Sequence, residues 1–349
     1  MRFGFLFLGL MFPLFVYSQS AFDSGKSAFD NGDYERATRH FDEVKDSPEA
    51  QFYLGRIAFL NNDFSKAISW IEKAKKTEPD SSKYYLWLGH GYGRKAQNSS
   101  KLRQPFLAKK SLSNYEKSVE IDPANIEARN SLIEFYLQAP GFMGGGTDKA
   151  YKQVEAIAEI DPFQGVLAEG RVLDHDKGPD AAKTVYEQAL ESGMDSVQIA
   201  NRLYAILYNG GQFEEAVSVM DQQLGKRDTL AGLHLQKGNA LARMSEYDSA
   251  YESYQRVQRI DTSLIVVHYQ IGRLAGESGQ FLDEGEKAIT KFIDEGERYG
   301  SGTMAWAYYR LGSIQEHQNK PEEAKQSYKL ALKSDKKHKE SKEALKRLK

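Results

Sequence analysis

The sequence predicts an all-α array of stacked helix–turn–helix units, on three observations. A glycine recurs, and an alanine follows it twelve residues later: Gly25 and Ala37, Gly55 and Ala67, Gly170 and Ala182, Gly238 and Ala250, Gly312 and Ala324. Gly55 and Gly89 stand one 34-residue period apart, as do Gly238 and Gly272, and fixed self-similarity of that length marks a repeat array. Aromatic residues form 12% of the 349 residues, with 20 Tyr and 18 Phe, which suits helix-on-helix packing. Length alone suggests two or three domains. A solenoid grows in one dimension, each unit touching its neighbours, and overrides that prior.

The first eighteen residues form the first element. Met1-Arg2 is a short basic start, Phe3 to Tyr17 is an apolar run interrupted by Pro13, and Val16-Tyr17-Ser18 places tolerated residues before a cleavage point. This reads as a signal peptide, removed after Ser18 or Ser20, and it implies an exported chain, periplasmic or secreted. No later segment reaches membrane-spanning length. The chain has no cysteine, which removes disulfides, thiolate catalysis and Cys-based zinc sites. An exported, Cys-free chain points to the bacterial envelope. The net charge of −2 exerts no general pull on nucleic acid.

Residues 19–336 read as nine helix–turn–helix units. Their first helices start near Ser18, Pro48, Ser82, Ile126, Phe163, Val197, Ala231, Ile265 and Ala305. Turns such as Asn31-Gly32-Asp33, Asn61-Asn62-Asp63, Asn209-Gly210-Gly211 and Ser278-Gly279 tolerate left-handed geometry and stop a helix. Glu78-Pro79, Asp122-Pro123 and Asp161-Pro162 end helices, because the residue before proline avoids helical geometry. Small residues at the crossing let two helices approach closely; a mid-helix glycine costs about 0.5–1 kcal/mol against alanine, so its recurrence needs such a packing reason.

Several units depart from the pattern. About ten extra residues near Ala96 to Pro105 separate the helices of the third unit, and Pro140 to Thr147 lengthens the turn of the fourth, with Thr147 or Asp148 expected to cap the next helix. Inserts in adjacent repeats are expected on one edge. The sixth unit has Tyr204 at the glycine position, and the eighth has Glu284 or Gly285 where alanine is expected. Residues 337–349 form a basic capping helix or tail; from Lys333 onward seven Lys and one Arg face three acids. A terminal repeat needs such a polar outer face.

These positions resemble the tetratricopeptide repeat, clearest in Pro48 to Glu78 with Leu54, Gly55, Ala58, Ala67, Ile71, Ala74 and the closing Pro79. The resemblance covers about Ser18 to Lys336. It implies a right-handed superhelical solenoid of about nine units with a C-terminal capping helix, and a concave groove lined by the first helix of each unit. Mapped through that register, the candidate groove residues are Phe22, Lys26, Phe52, Arg56, Phe59, His90, Arg171, Tyr208, Asn239, Tyr269, Arg273 and Tyr309. Phe22 with Lys26, Phe52 with Arg56 and Tyr269 with Arg273 place an aromatic and a cation one helical turn apart, and both types are enriched at binding hot spots. Packing of these rings against the next repeat is the competing reading. No unit carries the Lys and Asn pair with which some family members clamp a chaperone C-terminus.

Chemistry-bearing motifs are sparse. Gly141 and Gly146 have the spacing of a phosphate loop, but Thr147-Asp148 stands where Lys-Ser/Thr belongs. The seven histidines show no i,i+3 or i,i+4 pair, and neither H-E-x-x-H nor G-x-S-x-G occurs. Asn98-Ser99-Ser100 is a sequon, relevant to a eukaryotic secretory route alone. The reading is a non-catalytic envelope scaffold that takes a peptide or protein in its groove, without cofactor, metal or nucleic acid. The alternative is an accessory subunit of an envelope transport or assembly machine that touches its partners through the inserted edge loops; an enzyme with its site in those loops is the third.

Overall fold

The computed structural model describes residues 11–295 and 299–348. Among them the chain is α-helix joined by turns, one of them a 3-10 turn at Gly141–Met143, in pairs of antiparallel neighbours, with no strand. Two compact units divide it, Met1–Ala182 and Lys183–Lys349. The first contains α1 (Met11–Asp30), α2 (Tyr34–Glu43), α3 (Pro48–Leu60), α4 (Phe64–Thr77), α5 (Ser82–Gln97), α6 (Gln104–Ile121), α7 (Ile126–Gln138), α8 (Thr147–Ile160) and α9 (Pro162–Lys177). Helix α10 (Pro179–Glu191) spans the division. The second contains α11 (Val197–Asn209), α12 (Phe213–Leu224), α13 (Ala231–Arg243), α14 (Tyr247–Ile260), α15 (Val266–Ser278), α16 (Leu282–Glu295), α17 (Gly300–His317), α18 (Pro321–Ser334) and the capping helix α19 (Lys339–Arg347).

One packing rule explains the glycines. A Cβ built at Gly25, Gly55, Gly238 or Gly312 would stand 2.5–2.8 Å from Phe41, Ile71, Tyr254 or Tyr328. Each of those large side chains lies sixteen residues on, in the second helix of the same pair, and all four are buried. Glycine lets the ring or branch lie directly on the facing backbone. Burying such a side chain stabilises by roughly 1.5–3 kcal/mol, more than glycine costs. Ala37, Ala67, Ala216, Ala250 and Ala324 are fully buried where the second helix crosses back.

The same spacing measures the irregular units. Gly89 faces Tyr115, twenty-six residues on, so ten residues are inserted. The helices absorb part of them: α5 runs to Gln97, α6 begins at Gln104, and the loop is shorter than the expected Ala96–Pro105 segment. Gly272 faces Ile289, seventeen on. The extra residue sits in a turn where Gly279 and Phe281 both take positive φ. It makes Gly285 the crossing residue, its Cβ position 2.2 Å from Ala275 Cβ. In the unit with Tyr204 the residue sixteen on is Met220, fully buried, whose flexible chain suits an irregular gap.

Local chemistry sets the helix ends. Gly32, Asn62, Gly211, Ser245 and Asn319 take positive φ in the turn between paired helices. Asp33 and Asp63 then cap the second helix, accepting from the N–H of Arg36 and Lys66 at 3.0 Å. In the Gly-rich insert neither Thr147 nor Asp148 caps: Gly146 occupies the cap position of α8 at φ 149, and its N–H donates to the Tyr136 carbonyl. The backbone reaches an angle there that L side chains rarely adopt, which displaces the side-chain cap.

Of the signal-segment expectation, Met1 to Leu10 lie outside the described residues, and Met11 to Ser18 form the start of α1. The first helix therefore begins before Ser18. The ninth first helix begins at Gly300, before Ala305. Among the described residues no helix is long and apolar enough to cross a membrane.

Candidate functional site

In the first unit the assigned face is built by α1, α3, α5, α7 and α9. Arg56 is its central residue. Its guanidinium carbon lies 4.7 Å from the Phe29 ring, 5.8 Å from Phe52, 5.6 Å from Tyr53 and 4.7 Å from Trp87. Its Nε is buried without a hydrogen-bond partner. Two of those four rings, Phe29 on α1 and Trp87 on α5, escape a reading confined to pairs within one helix; Trp87, one residue off the mapped groove position of its unit, could have been found by widening the stripe.

The other assigned side chains of this unit divide between packing and exposure. Phe52 is buried against Tyr84 and Trp87. Phe22 packs on Phe41 and Tyr53. Lys26 turns from Phe22 to Asp30 at 2.6 Å, and that hydrogen bond raises its pKa. Arg171 is matched: it donates to Glu134 and to Asn130, each at 2.8 Å.

Phe59 and His90 line a cavity of about 730 Å³ with Tyr115, Glu134, Phe135 and Met143. Both inserts reach it, through Gln97 and Gln104 on one side and Pro140 and Met143 on the other. His90 Nδ1 lies 2.9 Å from Tyr115 Oη, and its Nε2 lies 3.8 Å from Glu127. Burial pushes the Tyr115 phenol up to about 12, so it stays neutral. The neighbouring His90 ring draws the Glu127 carboxyl below its ordinary value.

In the second unit the assigned face holds a row of polar side chains. Asn201 Oδ1 (α11), Gln236 Oε1 (α13), Gln270 Oε1 and Arg273 Nε and Nη2 (α15), and Arg310 Nε (α17) are buried without a protein hydrogen-bond partner. They occupy near-equivalent places on successive first helices. A buried polar group left unpaired costs about 1–3 kcal/mol, and such groups are few in folded proteins. Arg273 is 19% exposed, 3.9 Å from Glu277, which Arg310 also engages at 2.8 Å. Burial works against its charge, but Tyr254, Glu277 and Tyr208 outweigh burial and raise its pKa. Asn239 accepts from Tyr254 Oη at 3.0 Å. Tyr208 stacks on Tyr204, Tyr269 packs on Phe292, and Tyr309 lies against Trp306, Tyr328 and His338. The 34-residue spacing of Gln236 and Gln270 is the signal that could have picked out the row. No cluster of three metal-capable side chains occurs among the described residues.

Comparison with known proteins follows the same register. Residues 22–82 match one family profile described as tetratricopeptide repeat, and residues 307–338 match a second. No curated protein sequence matches the chain. Among solved structures it is similar to PilW, described as a widely conserved type IV pilus biogenesis factor. The identity is 18%, the match covers 64% of this chain and 99% of PilW, and the TM-score is 0.50; the likeness is one of fold. The thermophilic tetratricopeptide protein TTC0263 of Thermus thermophilus matches at 18% identity, over 55% of this chain and 99% of that one, with a TM-score of 0.44. A human IFIT1 dimer with m7Gppp-AAAA matches at 15%, over 93% and 79%, with a TM-score of 0.47. With its helices paired in this way and repeats matched near both ends, the chain is a tetratricopeptide repeat protein.

Proposed function

We propose that this protein is a non-catalytic scaffold, exported to the bacterial envelope, that binds an extended peptide or protein segment along the first-helix face of its repeats. The observation that carries the reading is the polar row of Asn201, Gln236, Gln270 and Arg273 in the second unit. Amide oxygens and guanidinium N–H groups that lack hydrogen-bond partners on three successive first helices match the regular amides and carbonyls of an extended chain. The aromatic box around Arg56 supports the same reading in the first unit, since a guanidinium beside rings can hold an anionic and an apolar group together. A net charge of −2 favours peptide over polyphosphate.

Affinity capture from envelope extracts, followed by titration of the captured partner, tests this. Gln270→Ala and Arg273→Ala are expected to weaken binding by about 2 kcal/mol or more each, as truncated hot spots do, whereas removing the segment after Lys336 changes it by less than about 1 kcal/mol. Normal binding by the two face variants together with loss in the truncation would overturn the proposal.

A further inference from the structure

The insert edge of the first unit carries a surface that neither repeat packing nor the first-helix face uses. Residues 81–115 contain seven cations and no acid. Lys101, Arg103 and Lys109 are exposed, and no carboxylate pairs with them or with Lys110 among the described residues. Large apolar side chains stand among these charges: Leu102 is 94% exposed, Phe106 63% and Phe142 81%. Phe106, Lys109 and Lys110 share one face of α6, with the Lys110 ammonium 4.9 Å from the Phe106 ring. Leu102 stands in the turn just before. The turn Gly141–Met143, which carries Phe142, packs beside α6, and Gly144 lies against Leu112. Inserts from two adjacent repeats thus meet on one edge.

We propose that this edge docks on an anionic lipid surface. Leu102, Phe106 and Phe142 enter the boundary between headgroups and acyl chains, while Lys101, Arg103, Lys109 and Lys110 meet the headgroups. An acidic protein would satisfy the charge. It would also need a separate pocket for each of three protruding side chains on different segments, whereas a fluid bilayer needs no such fit. The inference is independent of the peptide-binding reading.

The chain has no cysteine, so a single one can report position. Full-length Leu102→Cys and Phe142→Cys carry an environment-sensitive dye, with Glu214→Cys, an exposed position on α12, as the control. The probes are phosphatidylcholine vesicles with and without roughly one-third phosphatidylglycerol. A blue shift at 102 and 142, absent at 214 and requiring the anionic lipid, is expected; anchoring by the N-terminal apolar segment alone would leave the dyes at 102 and 142 in water. Partitioning falls about fivefold for each of Lys101→Gln, Arg103→Gln, Lys109→Gln and Lys110→Gln, and weakens with salt. Phe106→Ser, an exposed change that leaves the core intact, lowers it too, with circular dichroism melting unchanged. No shift at either position, an equal shift on neutral vesicles, or a shift with polyglutamate but not with vesicles overturns the proposal, the last in favour of an acidic protein.

Discussion

Arg56 is held by rings on α1, α3 and α5 rather than by an acid, so its contribution to folding is partly packing of its stem and partly attraction to aromatic faces. Arg56→Met keeps an unbranched, polarisable chain in the box, and its stability in urea is expected within about 1 kcal/mol of the parent. Arg56→Ala empties the box and should melt clearly lower; equal melting of the two would show that the rings do not depend on what fills them. Glycine positions separate in the same way. Gly238→Leu drives a side chain into Tyr254, 2.6 Å from the built Cβ, and overpacking of this kind costs roughly 1–3 kcal/mol. Gly232, in the same helix, meets nothing within 4 Å. Gly232→Ala should therefore raise stability by about 0.4–1 kcal/mol through the unfolded chain. Opposite shifts of the melting temperature check the pair.

At the scale of the element, α19 shows how a charged helix closes the second unit. Ser341 and Ala344 are buried, Leu345 and Leu348 pack with Tyr309 and Tyr328, and Arg347 reaches Glu316 at 2.7 Å. His338 is buried beside the Trp306 ring at 4.5 Å, and its Nδ1 accepts from the Ser341 N–H at 3.3 Å. Burial lowers its pKa. The unfolded chain then takes up a proton near pH 6.5 while the folded chain resists it. Stability from this site is full above that pH and is lost as the pH falls toward the depressed folded value. Melting temperature is expected to decline below about pH 6.5, and less steeply in His338→Asn, which keeps a capping acceptor without a titrating ring. An equally steep decline in that variant would move the effect elsewhere, His268 being the other histidine whose pKa burial lowers.

At the scale of the whole molecule, a repeat array binds partners on faces assembled from many helices, and its neighbours in sequence are its neighbours in space. Two surfaces are proposed here, a first-helix face for a peptide segment and an insert edge for anionic lipid. The export proposal adds a covalent expectation: the protein in its native host should begin at Gln19 or Ala21. Intact-mass measurement checks this, and retention of Met1 to Tyr17 would mean an uncleaved anchor instead.

The repeat register was legible in the sequence because every unit solves the same local problem. A helix pair must cross closely, and glycine, alanine and a large apolar residue at fixed offsets do that wherever they recur. The inserts were legible as interruptions of that period, and even the uncertain crossing at Glu284 or Gly285 needed no more than one added residue to resolve. The candidate site was legible only as a stripe of positions. Lys26 faces Asp30 one turn on in its own helix, whereas Arg171 faces Glu134 and Asn130 and Arg56 faces Trp87, and these last two choices depend on which rotamer the adjoining helix leaves open. The row of Asn201, Gln236 and Gln270 and the exposed tips of Leu102, Phe106 and Phe142 belong to the same class. Periodicity specifies how a helix packs on its pair, whereas burial and unmet hydrogen bonds arise from neighbours that the tertiary structure alone brings together.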